Sequence, residues 1–140
     1  MTDDEKAVAE ANEAFYRAFE SLSTAEMEKV WRRAPYIQCI HPGWHILRGW
    51  DPVMTSWQRI FENGQEMRFM LTDVSIRVHG DLAWVTLYEN IHGPVEGRIA
   101  SATVAATNVF ERGRDGWRLI HHQGCSVAQP PFALQPKTLH

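Results

Sequence analysis

Hydrophobic periodicity changes once along this chain, at Met67, and that change limits the folds open to it more than any other feature. Beyond it, β-branched and aromatic residues fill four long runs, 67–78, 82–91, 98–111 and 117–127. The breaks between the runs carry turn chemistry: His79-Gly80-Asp81, a longer one from His92-Gly93-Pro94 through Gly97, and Gly113-Arg114-Asp115-Gly116. Short breaks let successive strands pair only antiparallel, so the second half reads as one curved sheet of four long strands.

The first half is written in a helical period. Thr2-x-x-Glu5 is a capping box, and Val8, Ala11, Phe15, Ala18, Phe19 and Leu22 follow at helical spacing with charges between them. Ser23-x-x-Glu26 reads as a second capping box, opening a shorter helix with Met27, Val30 and Trp31 inward and Pro35 as its stop. Residues 36–40 read as a strand, broken by Pro42-Gly43 and followed by a strand-like 44–47, together a bent hairpin. Asp51-Pro52 then reads as N-cap and first turn of a third helix, with Val53, Trp57, Ile60 and Phe61 buried and Asn63-Gly64 ending it. Helices first and a strand meander afterwards is an α+β plan, with three N-terminal helices on one face of a curved antiparallel sheet. The other face is left needing a cover, for which a homodimer joined through the sheet is the economical solution.

Composition narrows the function classes. The 140 residues, 44% hydrophobic and 22% charged, suit a single domain over 1–128, followed by a tail at 129–140 whose Pro130, Pro131 and Pro136 favour an extended or disordered path. A net charge of −3 with scattered Lys and Arg gives no footprint for nucleic acid. Cys39 and Cys125 form no C-x-x-C pair, so neither a disulfide framework nor a zinc knuckle is expected. The start is acidic where a signal peptide is basic, and no apolar run approaches the roughly 20 residues of a membrane span. The expectation is a soluble, cytoplasmic protein that does not engage membranes.

Four motifs stand out: Cys39-Ile40-His41-Pro42-Gly43-Trp44, Leu47-x-Gly49-x-Asp51, Gly80-Asp81-Leu82-Ala83-Trp84-Val85, and Gly116-Trp117-Arg118-Leu119-Ile120-His121-His122. In these and in its order of elements the chain resembles the nuclear transport factor 2-like superfamily, in the branch of SnoaL-like and ketosteroid isomerase-like proteins. The resemblance implies a cystatin-like α+β cone, with a conical cavity between helices and concave sheet and a homodimer joined through the sheets. Ketosteroid isomerase uses a carboxylate base with a tyrosine and a protonated aspartic acid as oxyanion donors. Local matching puts His41 at the base position, Phe15 at the tyrosine position and Asn108 at the aspartic acid position, so all three differ. Phe15 has no hydroxyl to stabilise a dienolate, and Tyr16 lies about 100° round the helix from it. Steroid isomerisation is therefore disfavoured. Other acid–base chemistry is not, because a neutral imidazole can accept a proton and an Asn amide can donate to a carbonyl.

The candidate site follows. His41 shares a strand face with Ile37 and Cys39, a polar group over an apolar floor, or else it is a hydrogen-bonded turn residue before Pro42. Asn108, amid an apolar run with Ala106 and Phe110 on its face, needs partners if buried, or else it faces a sheet edge or a dimer partner. His121 and His122 point to opposite faces of a regular strand, His121 in phase with Trp117 and Leu119, so one of the two at most enters the cone. Glu89, in phase with Val85 and Leu87, is either a pocket carboxylate or an edge charge. His41 and Asn108 are the candidate catalytic residues, with Phe15, Cys39, Trp44, Trp57, Glu89, Phe110 and His122 as ligand-binding candidates and Trp44 and Trp57 nearest the mouth. A Cys39 nucleophile served by His41 lacks an orienting third group. The histidines have no metal-ligand spacing, so neither metal nor cofactor is expected. Two readings follow: a small cofactor-independent isomerase, cyclase or dehydratase acting on a small apolar molecule, and a non-catalytic dimeric module that binds a small ligand or helps assemble a partner.

Overall fold

The computed structural model describes residues 1–128, so the tail at 129–140 lies outside the described residues. Helix α1 (Asp3–Ser21) opens on the expected capping box, Glu5 N donating to Thr2 Oγ1 at 3.1 Å and Thr2 N to Glu5 Oε1 at 2.8 Å. It ends where Leu22 turns left-handed at φ 56, a conformation that reverses the chain within one residue. Helix α2 (Thr24–Val30) takes only half of its predicted box, with Ser23 Oγ accepting from Glu26 N at 3.2 Å. It stops before Pro35 because Trp31 is already extended, buried and bridged in parallel to Leu119.

The bent hairpin is shorter than its sequence pattern. Strand β1 (Gln38–Ile40) pairs antiparallel with β2 (Leu47–Arg48), and neither 36–37 nor 44–46 joins the ladder. Helix α3 (Trp50–Asn63) starts earlier than expected, with Gly49 rather than Asp51 at the N-cap. Gly49 sits at φ 92, where a side chain would be strained, and Asp51 instead places its charge in the first turn, favourable to the helix dipole. Pro52 then falls third in the helix, where its missing N–H costs nothing. Gly64 caps the other end as anticipated.

The long strands are β3 (Arg68–His79), β4 (Leu82–Val95), β5 (Arg98–Gly113) and β6 (Gly116–Ser126), all paired antiparallel in sequence. The β4–β5 hairpin runs further than predicted: 92–95 are paired, and the turn shrinks to Glu96-Gly97. Pro94 fits because β3 ends opposite His92, leaving no partner on that edge to miss an N–H. The sheet has six strands in the order β2-β1-β6-β5-β4-β3, and β1 joins β6 in parallel. An all-antiparallel four-stranded sheet is thus corrected to a mixed one, because the link through α2 lets β1 enter beside β6 from the far end of the chain.

Helices cover one sheet face and leave the other open, the α+β cone of the cystatin-like fold. Ala83, Val85, Leu87 and Glu89 of β4 and Val104, Ala106, Asn108 and Phe110 of β5 face inward. In β6 the strict alternation fails. Val109 pairs with His121 and Phe110 with Leu119, leaving Ile120 as an extra bulge residue. The bulge shifts the phase by one, so Trp117, Leu119 and His122 all point inward and His121 does not share their face. Salt bridges pin the base of the cone: Arg32 to Asp115 at 2.7 Å, and Arg112 to Asp4 in a bidentate pair at 2.7 and 2.9 Å. Among the described residues, no helix is long and apolar enough to cross a membrane.

Candidate functional site

Inside the cone, polar side chains from three strands and two helices meet among aromatic rings. Burying them without partners would cost on the order of 1–3 kcal/mol each, and the geometry supplies the partners. Tyr16, from α1, donates its hydroxyl to Glu89 Oε2 of β4 at 2.5 Å. Asn108 Nδ2, from β5, donates to Tyr16 Oη at 3.1 Å and to Asn12 Oδ1 at 2.9 Å, while its Oδ1 stands 2.6 Å from His122 Nδ1 of β6. This hydrogen-bonded run crosses three neighbouring strands, β4, β5 and β6, in the middle of the sheet. Beside it, His41 Nε2 lies 2.9 Å from Ser56 Oγ of α3, and Ser56 donates to Val53 O at 2.6 Å.

Rings bind the two groups together. His41 and His122 have centroids 6.3 Å apart, and the Trp57 ring lies 4.7 Å from His41 and 6.0 Å from His122. Phe15 stacks 5.0 Å from His122 and 5.8 Å from Trp57. Trp44 meets His41 edge-on at 4.9 Å and is 41% exposed, so it covers His41 from the solvent side. Trp57, expected at the rim, is instead fully buried, and its indole N–H has no acceptor.

The electrostatics follow from burial. Desolvation pushes the Glu89 carboxyl up to about 7, against the Tyr16 hydroxyl bond that pulls it down. Desolvation also pushes His41 down to about 4, and His122 to about 3 with help from His41 and His121. Both imidazoles are therefore neutral near pH 7 while Glu89 is poised between its forms. Burial and the nearby Glu89 raise the Cys39 thiol, which keeps it protonated although its Sγ is 3.5 Å from His41 Nε2. Among the described residues no group of His, Cys, Asp and Glu has a metal-binding arrangement.

Of the residues singled out from sequence, His41, Asn108, His122, Glu89, Phe15, Cys39, Phe110 and Trp57 are all buried in this interior, and Trp44 flanks it. His41 and Asn108 do not touch, and His122 stands between them. Asn12, Tyr16 and Ser56 were missed. Each is a polar residue on an otherwise apolar helical stripe, Val8-Asn12-Tyr16 in α1 and Val53-Ser56-Trp57 in α3, and that interruption was the available signal. Open cavities occur elsewhere. One of about 390 Å³ lies against Thr86, Tyr88, Thr107, Gln123 and Cys125, and another of about 400 Å³ against Glu66, Met67, Ile91, Pro94 and Ala102.

A family model, the SnoaL-like domain, matches residues 8–129. The chain belongs to the SnoaL-like family. Its structure is similar to that of an NTF2-like family protein from Streptomyces avermitilis, provisionally named a dehydratase, at 35% identity and TM-score 0.84, covering 90% of this chain and 97% of that one. A second similar structure, from Thiobacillus denitrificans, is provisionally named a calcium/calmodulin-dependent protein kinase type II association domain. It is 30% identical with TM-score 0.77, over 84% of this SnoaL-like chain and 92% of the other. In sequence, the SnoaL-like chain is 29% identical to the F-box protein SKIP8 of Arabidopsis thaliana over 84% of its own length. That match spans 48% of the relative, so the chain corresponds to about half of that longer protein.

Proposed function

We propose that this SnoaL-like protein is a cofactor-independent acid–base enzyme acting on a small, mostly apolar molecule taken into the cone, with His41 as proton acceptor. The observation that supports it is the hydrogen-bonded run Glu89–Tyr16–Asn108–His122, which brings a carboxyl to the same interior as His41. Environments that push a carboxyl up and an imidazole down, within one interior, produce an acid and a base able to coexist near neutral pH. Dehydration or isomerisation needs such a pair and no redox partner. The similar Streptomyces protein, named for dehydration, points the same way.

The test is product formation from a panel of small hydroxy and keto compounds by the wild type and by His41→Ala. Turnover lost in a variant that stays folded supports the assignment; equal turnover removes His41 from the chemistry.

A second reading, a non-catalytic association module, draws on the open sheet face, where Met70, Leu82 and Trp84 stand exposed, and on the Thiobacillus relative. A homodimer formed through that face belongs to both readings. Under the second, apolar ligands raise the melting temperature with no product formed. Sedimentation of wild type and Trp84→Lys measures the dimer directly.

A further inference from the structure

We infer that the two interior imidazoles are locked in opposite neutral tautomers, His41 protonated at Nε2 and His122 at Nδ1, and that their bare nitrogens select a neutral hydroxyl-bearing ligand over a carboxylate. The ligand half rests on the pocket reading above; the tautomer half does not.

Counting hydrogens carries the argument. A serine hydroxyl has one hydrogen, and Ser56 gives it to Val53 O at 2.6 Å, an atom that only accepts. Its oxygen must then accept from His41 Nε2 at 2.9 Å, which places the His41 proton on Nε2 and leaves Nδ1 an acceptor, with the Cys39 Sγ 3.9 Å away. The second count starts at Glu89. With that carboxylate ionised, Tyr16 gives it the single phenolic hydrogen at 2.5 Å. The Asn108 atom 3.1 Å from Tyr16 Oη must therefore donate, so it is Nδ2, and the Asn108 oxygen faces His122 Nδ1 at 2.6 Å. An oxygen accepts, so His122 carries its proton on Nδ1 and leaves Nε2 bare. Neither serine nor asparagine titrates, so the His41 lock holds across the working pH range and the His122 lock holds wherever Glu89 is ionised.

The result is two acceptors on rings 6.3 Å apart, with the Trp57 ring beside both and its N–H without a partner. Among the described residues the buried polar set is Asn12, His41, Ser56, Glu89, Thr103, Asn108 and His122, which contains no Lys or Arg to neutralise an anion. A carboxylate placed there would meet lone pairs and the Glu89 charge. A neutral hydroxyl meets acceptors, and aromatic rings suit its apolar body.

Histidine-selective ¹⁵N labelling reads the tautomers directly at about pH 9, where Glu89 is ionised. The expected spectra show one ring protonated at Nε2 and the other at Nδ1. Ser56→Ala should release His41 into a mixture of tautomers, and Ser56→Thr should restore the single form. Two rings in the same tautomer, or a Ser56→Ala spectrum unchanged from wild type, overturns the lock; the wild-type spectrum decides even if a variant fails to fold. For the ligand half, phenol, toluene and benzoate are titrated into the wild type while the bare nitrogens are followed. Phenol should shift them and bind about tenfold more tightly than the other two, the worth of one buried hydrogen bond. Benzoate binding as tightly as phenol, or no response to phenol, overturns it. Absent turnover in the panel assay would leave both spectra unaffected, so failure of the enzyme reading stays separable.

Discussion

Glu89→Gln tests how the interior is held together. Glu89 is 3% exposed in the wild type, and burial displaces its pKa from 4.5 to about 7. Well below 4.5 the group is protonated whether the chain is folded or not. Between 4.5 and about 7 the folded chain keeps a proton that the unfolded chain has released, so its contribution to stability is lost as pH rises through the folded pKa. The displacement from 4.5 to about 7 corresponds to roughly 3 kcal/mol, a sizeable share of the 5–15 kcal/mol typical of a domain. Glutamine keeps the shape and an acceptor for the Tyr16 hydroxyl but never ionises. Urea unfolding of both proteins should give equal stability at about pH 4 and a variant more stable by roughly 3 kcal/mol at about pH 9. His41 and His122 are present in both proteins, so their own titration cancels in the difference. A difference that does not change with pH, or a wild type more stable at about pH 9, refutes the account of a buried carboxylate that the Tyr16 hydroxyl compensates only in part.

Other consequences are as sharp. His41, held down from 6.5 to about 4, leaves the unfolded chain binding the extra proton in that window, so stability falls as pH drops through it; His41→Gln should lose roughly 3 kcal/mol less than wild type between pH 7 and 4 in urea titrations. Trp57→Phe removes an indole N–H that has no acceptor, so it should cost less than about 2 kcal/mol, against about 3–5 for Phe15→Ala at the same core, both by chemical denaturation. A Cβ on Gly93 would meet Glu66 O at 2.8 Å, so Gly93→Ala should cost about 1–3 kcal/mol in melting experiments and speed proteolysis of the adjoining segment. Asp73 sits at φ 52 in the β3 bulge, so Asp73→Val should destabilise by about 1–2 kcal/mol while Asp73→Gly does not.

Local chemistry made much of this fold legible. Capping residues, apolar spacing and turn dipeptides are short-range signals, and they located three helices and four long strands. What failed was non-local. Three residues of β1 carry no mark of the strand they join, and its parallel seat beside β6 depends on where α2 delivers the chain. The Ile120 bulge is likewise invisible to a period-two count, which put His121 in phase with Leu119 when the buried partner is His122. The site was half legible. Strand residues such as Glu89 and Asn108 were found because polar atoms interrupt apolar alternation. Tyr16 was passed over because the matched family position fell on Phe15, although a stripe wide enough to bury Phe15 buries its neighbour as well.

The parallel seat of β1 also bears on how the molecule assembles. The hairpins of β3 to β6 close over a few residues each, whereas Gln38 finds His121 across roughly eighty residues of chain. Loop-closure entropy favours the meander as the folding nucleus and makes the Cys39–His41 segment a late arrival. Substitutions there, such as Cys39→Ala, are expected to accelerate unfolding while leaving the refolding limb of a chevron unchanged. His41 is then delivered to a scaffold in which Asn108 and His122 already stand opposite each other, so the interior acquires its second imidazole only in the last step of folding.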